Sequence, residues 1–170
     1  ECSVLDAEAR GGPCGKMFSQ PRDACECGAR VLELYTCRNC GSAYARAYTD
    51  NLDDPDFLWA EGGGEFRTLM GEYEELEPLD LLLEQPVPGM GDVEPAEFDL
   101  VTGRLNPHAL GDRVRQVFIR ANRSHINDDD DGTGTAHPGE FVPCGVCGES
   151  AAFGRSSVQD HQTKGDQPFQ

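Results

Sequence analysis

The sequence has only two lysines, Lys16 and Lys164, and few basic residues of any kind. Fourteen Lys and Arg stand against 31 Asp and Glu, which gives a formal net charge of −17. Such a charge disfavours nonspecific adhesion to a phosphate backbone, although it leaves room for a local basic surface. The sequence also lacks an apolar run of about 18 residues, the length that a transmembrane helix needs. We therefore expect no membrane partner.

Signatures of catalysis are absent as well. Gly62-Gly63-Gly64 is not followed by the Gly-Lys-Ser/Thr of a phosphate loop, and no Ser/His/Asp nucleophile signature is present. The acidic run at 127–132 is not a calcium loop, because Pro138 stands where the bidentate glutamate should be. Four histidines occupy polar contexts without metal-ligand spacing, namely His108, His125, His137 and His161. These 170 residues are expected to carry no catalytic site, and whether a longer parent is an enzyme stays open.

Cysteine, by contrast, occurs in a pattern that indicates metal binding. Two Cys-x-x-Cys-Gly motifs, Cys37–Gly41 and Cys144–Gly148, are accompanied by a tighter one at Cys25–Gly28. The glycine after the second cysteine allows the sharp turn that points amide groups at thiolate sulfur. The three motifs therefore predict zinc knuckles.

The cysteine count suits two structural zinc ions. Eight cysteines fill two tetrahedral sites of four thiolates each, with no coordination position open to water. Four disulfides are the alternative, but Cys-x-x-Cys pairs chelate an ion more easily than they close a disulfide. The expected ligands are Cys2, Cys14, Cys25, Cys27, Cys37, Cys40, Cys144 and Cys147.

Two partitions of these ligands are open. The favoured one joins the two Cys-x-x-Cys pairs, Cys37, Cys40, Cys144 and Cys147, and leaves the first four cysteines for the other ion. The competing one closes a local ribbon from Cys25, Cys27, Cys37 and Cys40 and pairs Cys2 and Cys14 with Cys144 and Cys147. Cys14 is the weakest ligand candidate. The chain begins at Glu1, directly before a cysteine, so a ligand upstream of Cys2 is a further alternative.

The fold is expected to be mainly β with little helix: a zinc ribbon whose knuckles are separated by a long β-rich excursion, residues 50–140. Alternating and β-branched flanks predict strands on both sides of Cys37–Gly41. Further strands are expected at Phe57–Ala60, Phe66–Leu69, Phe98–Val101 and Val114–Ile119, with a tight turn at Thr102-Gly103. The helical candidate Glu72–Leu83 is broken by Pro78. Residues 127–139 predict a mobile loop. We expect one domain over 1–150 and a linker over 151–170.

Arginines cluster in one stretch of this acidic chain. Between residues 104 and 123 they face a single acid, Asp112. If the stretch is a strand, Arg113 and Arg115 share one face and could contact a phosphate backbone. Solvated surface arginines are the alternative. The nucleic-acid candidates are Arg104, Arg113, Arg115, Arg120 and Arg123.

The cysteine blocks at 25–41 and 144–148, and the polar segment 160–170, resemble the cysteine-rich insertion of superfamily-two DEAD/DEAH-box helicases. The DISARM anti-phage helicase and its relatives are the most similar group. The resemblance covers about a third of the chain and implies an accessory domain of an ATP-driven DNA translocase, followed by a motor lobe. DNA, the motor lobes of the same chain and a partner subunit are the implied partners.

The function expected from these observations is structural: a zinc-stabilised module that guides a DNA strand or docks a subunit for a cytoplasmic helicase in antiviral defence. One alternative is a stand-alone zinc-ribbon module whose acidic surface binds basic proteins. Another is a redox or metallochaperone protein with exposed thiols.

Overall fold

The fold is that of a computed structural model, which describes residues 16–20, 22–62, 76–89, 92–109, 111, 113–123 and 136–160. Within these ranges the regular structure is a set of strands and one short 3-10 helix, Ala152–Gly154, so the expectation of a mainly β protein is confirmed. The strands are β1 Glu33–Cys37, β2 Ala43–Thr49, β3 Glu77–Leu82, β4 Val93–Asp99, β5 Val114–Arg120 and β6 Val158–Asp160.

The strands form one antiparallel sheet with the order β4-β5-β3-β2-β1-β6. β1 and β2 are joined through the first knuckle, Cys37–Gly41, and pair with Tyr35 opposite Tyr44. The ribbon hairpin expected around this knuckle is therefore present, with the rest of the sheet built onto its two edges. A zinc ribbon with a β-rich excursion is the architecture that the cysteine spacing predicts.

Alternation along the strands gives the sheet a hydrophobic core on each face. β2 shows the pattern, since Tyr44 belongs to one core and Ala45 and Ala47 to the other. The larger core contains Ala45, Ala47, Leu52, Leu58, Leu79, Leu81, Ala96, Phe98, Leu105, Val117 and Ile119. The smaller core contains Cys37, Tyr44, Leu82, Phe118, Phe141, Cys144 and Val158, and thus includes cysteines of both Cys-x-x-Cys motifs.

β3 lies where the sequence offered only a proline-broken helix. Pro78 lies inside this strand, opposite Tyr48 of β2. On its other edge β3 pairs with β5 at Leu82 and not at Pro78. The amide of Asp80 instead donates to the carbonyl oxygen of Gly139 at 3.0 Å. A proline is tolerated in a strand that needs no ladder hydrogen bond from its nitrogen.

The segment that leads into the second knuckle packs closely on β3. We call residues 136–147 the covering segment, since Phe141 and Cys144 bury themselves in the smaller core. A Cβ atom on Gly139 would lie 2.0 Å from the carbonyl oxygen of Pro78, so only glycine permits this approach. The covering segment and the sheet are thereby fixed against each other.

Other expected elements have mixed outcomes. Val114–Ile119 is confirmed as β5, and β4 reaches further back than Phe98–Val101 and ends at Asp99. The turn around Thr102-Gly103 is present, with the amide of Gly103 donating to the carbonyl of Asp99 at 2.9 Å. Phe57–Ala60 makes isolated bridges instead of a strand. Phe66–Leu69 and residues 127–135 lie outside the described residues.

The sheet continues beyond residue 150. β6 pairs with β1, and its Val158 is buried in the smaller core. Residues 151–160 therefore belong to the same packed unit as the knuckles, although the sequence placed them in a linker. The remainder of that expected linker, residues 161–170, lies outside the described part of the chain. No helix among the described residues is long and apolar enough to cross a membrane.

A buried charge network ties three parts of the fold together. The Nε of Arg46 on β2 donates to Oδ1 of Asp80 on β3 at 2.8 Å, and its Nη2 lies 2.9 Å from Oε1 of Glu140. Asp80 is fully buried, and its second carboxylate oxygen accepts from the amide of Phe141 at 3.3 Å. The guanidinium of Arg46 also stacks 4.0 Å from the ring centroid of Tyr35. The network joins β2, β3 and the covering segment.

Candidate metal centre

Four cysteine sulfurs meet where the ribbon hairpin contacts the covering segment. The Sγ atoms of Cys37, Cys40, Cys144 and Cys147 all lie within 4.8 Å of one another. Cys37 and Cys147 are 3.8 Å apart, and Cys40 and Cys144 are 3.9 Å apart. Four thiolates around a tetrahedral ion with metal–sulfur bonds of about 2.3 Å would be separated by about 3.8 Å. The sulfur cluster therefore fits a metal ion, in the grouping of the favoured partition.

Both knuckles use the same backbone turn to present their sulfurs. The amide of Gly41 donates to the carbonyl of Cys37 at 2.8 Å, and the amide of Gly148 donates to the carbonyl of Cys144 at 2.9 Å. Both glycines adopt left-handed conformations, with φ values of 76° and 72°. This region is unfavourable for residues with a Cβ atom, which explains the glycine after each Cys-x-x-Cys.

Hydroxyl groups surround the buried part of the cluster. The hydroxyl of Tyr44 lies 3.1 Å from the Sγ of Cys144 and accepts from the amide of Gly145 at 3.1 Å. The Oγ of Ser42 lies 3.4 Å from the same sulfur and 3.1 Å from the Sγ of Cys40. Hydrogen bonds of this kind orient a ligand and stabilise its charged form. Cys144 is thus prepared to serve as a thiolate.

The thiol pKa values reflect these surroundings. Burial opposes ionisation of Cys144, but hydrogen bonds from Ser42, Tyr44 and two backbone amides outweigh it and lower the pKa to about 6. Burial and the neighbouring sulfurs raise the pKa of Cys147 to about 12. Without a cation the Cys144 thiol therefore ionises readily, whereas Cys147 resists ionisation. A divalent cation removes that resistance, which is the electrostatic condition for metal binding.

Replacing Tyr44 by phenylalanine is expected to weaken metal binding by roughly 10–100-fold, the usual effect of removing an outer-shell partner. The phenyl ring would keep its packing against Phe141, whose ring centroid is 5.1 Å away. The sulfur of Cys144 and the amide of Gly145 would lose their hydroxyl partner. Competition with a chromogenic chelator measures the affinity.

Tyr48→Phe is the matched control, because Tyr48 lies on the same strand but contacts no sulfur of the cluster. Its affinity should equal that of the unaltered protein. Equal affinities for Tyr44→Phe and Tyr48→Phe would show that the Tyr44 hydroxyl does not orient the ligand.

The remaining described cysteines lie elsewhere. Cys25 and Cys27 belong to a separate small core with Ala29, so the competing partition, which places them beside Cys37 and Cys40, does not match the structure. Their turn has the same form as the other two, since the amide of Gly28 donates to the carbonyl of Cys25 at 2.8 Å with a φ of 82° at Gly28. Cys2 and Cys14 lie outside the described residues.

The five arginines singled out for nucleic acid all contact the chain itself. Arg113 donates to the carbonyl oxygen of Cys27 at 2.6 Å, and its second nitrogen lies 3.3 Å from the Sγ of that residue. Arg123 is buried and pairs with Glu94 at 2.6 Å. Both side chains therefore connect separate segments of the fold.

Of the other three arginines, Arg104 is exposed and Arg115 and Arg120 are half-buried. Arg104 pairs with Asp56 at 2.5 Å, and both side chains are more than half exposed. Arg115 donates to a carbonyl oxygen of Leu83 at 3.3 Å. Arg120 donates to carbonyl oxygens of the covering segment at 3.2 and 3.3 Å. Because these contacts occupy hydrogen-bond donors of the three guanidinium groups, fewer donors are left to contact an external phosphate.

Sequence reasoning missed the hydroxyl groups around the cluster. Ser42, directly before β2, and Tyr44, inside it, follow the first knuckle at alternate positions, which directs both side chains to the side of the sulfurs. That alternation is the one signal available in advance. Nothing in the sequence indicates that Ser157, the residue before β6, approaches the cluster with its Oγ 3.5 Å from the Sγ of Cys37.

Comparison with known proteins places these features in a family. The YjiV N-terminal domain family matches residues 17–162. The chain is also 30% identical over 164 residues to the Druantia protein DruE of Escherichia coli (strain UMEA 4076-1). That alignment covers 91% of the chain but 8% of the relative, so the chain spans a small part of the curated protein it matches. No solved structure matches significantly.

Proposed function

The chain belongs to the YjiV N-terminal domain family, and on that premise we propose that it is a zinc-stabilised accessory domain of an ATP-dependent DNA helicase or translocase. Its cytoplasmic parent would act in antiviral defence. The observation that carries the proposal is the four-sulfur cluster, which fits a structural ion and leaves no coordination position for chemistry. Any hydrolysis would then belong to other parts of the parent.

Two zinc ions are part of the proposal. The first is held by Cys37, Cys40, Cys144 and Cys147. The second would use Cys25 and Cys27 with Cys2 and Cys14. The left-handed turn at Gly28 supports this second site, because it matches the turns of the two knuckles in the first. The guanidinium of Arg113, 3.3 Å from the sulfur of Cys27, would stabilise that thiolate.

The helicase assignment rests on the cysteine blocks that resemble the DISARM-type insertion. It is supported by size, since the matched relative is more than ten times longer than the aligned region and leaves ample length for motor lobes. In this proposal residues 161–170 lead toward a motor lobe. The domain contributes a fixed shape, contacts with the lobes or a partner subunit, and a path for DNA.

Native mass spectrometry of the chain with and without chelator tests the metal count directly. Two zinc ions per chain are expected, and both should be lost to the chelator. A single ion would remove the site at Cys25 and Cys27. No ion, with a mass lower by the hydrogens of paired thiols, would contradict the zinc proposal as a whole.

The accessory role is tested in the longer parent polypeptide. Cys37→Ser combined with Cys40→Ser is expected to abolish protection against phage while DNA-independent ATP hydrolysis by the motor persists. Val101→Ala, at an exposed position outside the smaller core that contains the cluster cysteines, is the control and should protect fully. Protection that survives the cysteine changes would contradict an essential accessory role, and a parent without ATPase activity would contradict the motor.

A further inference from the structure

A short loop beside the second knuckle presents an aromatic ring to solvent. We call Ala151–Arg155 the tip loop. Its central residue, Phe153, is 87% exposed and has a left-handed backbone with φ of 61°. The other large hydrophobic residues exposed in the described part of the chain are not aromatic: Met17, Val87 and Val101.

The tip loop is firmly anchored at its base. The amide of Ala151 donates to the carbonyl of Arg155 at 2.9 Å, closing the loop. Directly after it, the Oγ of Ser156 donates to the carbonyl of Phe141 at 2.8 Å. Phe141 is part of the smaller core, so the loop position is set by the same packing that holds the cluster.

The backbone of Phe153 is costly for a bulky residue. Left-handed φ values suit glycine, and among other residues they concentrate at functional sites. Gly154 follows with a φ of 68° and would accept such a conformation without strain. Neither burial nor packing compensates for the strain at Phe153, because its ring contributes to no core. An exposed ring held in a strained loop is the arrangement of a binding contact.

Charge around the tip loop differs from that of the chain. The segments that form this end, 37–42 and 142–157, contain Arg38 and Arg155 against one acid, Glu149, whereas the chain as a whole carries −17. Both arginines are exposed. The amide of Arg38 donates to the carbonyl of Ser157 at 3.0 Å, and the Nε of Arg155 donates to that of Ala152 at 3.3 Å. Arg155 is two residues from Phe153, and the backbone of Arg38 is joined to the segment that follows the tip loop, so both arginines belong to the same end of the domain as the exposed ring.

We propose that the tip loop binds single-stranded nucleic acid, with the ring of Phe153 stacked on a base and Arg38 and Arg155 contacting phosphates. A phenyl ring makes no hydrogen bond to a base edge, so the contact is tolerant of sequence. A protein partner would favour a broader apolar patch, whereas an isolated ring flanked by cations suits a base next to phosphates. The inference rests on the proposed function and gives it a specific DNA contact.

Fluorescence anisotropy with a labelled oligothymidine of about 20 nucleotides, long enough to span one site, tests the proposal on the zinc-loaded chain at low salt. Phe153→Ala is expected to weaken binding on the order of 10-fold. Phe153→Leu should weaken it similarly, while Phe153→Trp should retain it, because stacking requires a ring. Replacing Arg38 and Arg155 by glutamine should reduce the salt dependence of the affinity.

Val101→Ala is the matched control for loss of an exposed apolar side chain, and zinc content verifies the fold of each variant. Unchanged binding by Phe153→Ala would overturn the tip-loop contact but leave a DNA contact elsewhere, for example at Arg104 or Arg115. Absence of binding by the unaltered chain would overturn both the tip-loop contact and the DNA contact of the proposed function. Wild-type-like binding by Phe153→Leu would show apolar docking instead of base stacking and overturn the proposal.

Discussion

If the four-cysteine cluster holds a metal ion as proposed, removal of that ion by a chelator is expected to unfold the whole domain and not one end of it alone. A structural zinc site contributes an apparent free energy of about 10–16 kcal/mol at neutral pH, while an entire domain is commonly stable by about 5–15 kcal/mol. Cys37 and Cys144 are buried members of the smaller core. Without the ion, four uncoordinated sulfurs would remain beside that core, with no cation to hold the two knuckles together.

Cys144→Ser is the most informative single change, because Cys144 is buried, with 1% exposure, and its sulfur accepts hydrogen bonds from Ser42 and Tyr44. We expect this variant to lose the metal and to lose its cooperative unfolding transition. Circular dichroism recorded during heating measures the transition. Val101→Ala should keep both. A chelated protein that still unfolds cooperatively, within about 1 kcal/mol of the metal-loaded form, would show that the apolar cores suffice without the ion.

Arg46→Met is expected to lower the free energy of unfolding by about 3–5 kcal/mol, the typical cost of removing one partner of a buried ion pair. The change leaves the carboxylate of Asp80 fully buried with no cation, since Arg46 is its ion-pair partner at 2.8 Å. Urea unfolding with metal present measures the loss. Arg38→Met is the control, because Arg38 is exposed and such changes usually stay within about 0.5 kcal/mol.

The deficit of Arg46→Met should also depend on pH. Burial raises the pKa of Asp80, and Arg46 opposes that rise, so the variant raises the pKa further. A folded-state pKa above the unfolded value means that the native state binds more protons, and stability falls as pH increases. The deficit relative to the unaltered protein should therefore be smaller at about pH 5 than at about pH 8.

A double variant separates the buried charge from other effects. Combining Arg46→Met with Asp80→Leu removes both charges and should recover much of the lost stability, because an apolar pair avoids the desolvation cost. A double variant as unstable as Arg46→Met alone would place the loss in packing instead, including the stacking of Arg46 on Tyr35.

The ribbon could be predicted from sequence because its signals are local. Cys-x-x-Cys-Gly specifies a turn within five residues, and alternation beside it specifies the strands of the hairpin. The grouping of Cys37 and Cys40 with Cys144 and Cys147 followed from matching equivalent motifs. The sequence could favour this grouping, but only the sheet geometry distinguishes it from the local ribbon of Cys25, Cys27, Cys37 and Cys40.

The features that were missed depend on neighbours distant in sequence. Pro78 argues against a central strand until the covering segment is known to replace a ladder partner, as the hydrogen bond from Asp80 to Gly139 shows. Arg113 and Arg123 look like surface cations until Cys27 and Glu94 are placed beside them. Phe153 lies in a stretch that the sequence assigns to a linker, and only its packed surroundings show that it belongs to a loop anchored on the domain. None of these contacts has a local sequence signal.

The two halves of the sulfur cluster are far apart in sequence, since Cys40 and Cys144 are separated by 104 positions and Cys37 and Cys147 by 110. During synthesis the ribosome completes the first knuckle long before the second exists, so the nascent hairpin holds an incomplete set of donors. Closing such a distant pair is slow and comes late in folding. Metal uptake at this cluster would consequently report that translation has passed residue 147, and polypeptides truncated earlier would remain recognisable to cellular proteases as unfinished.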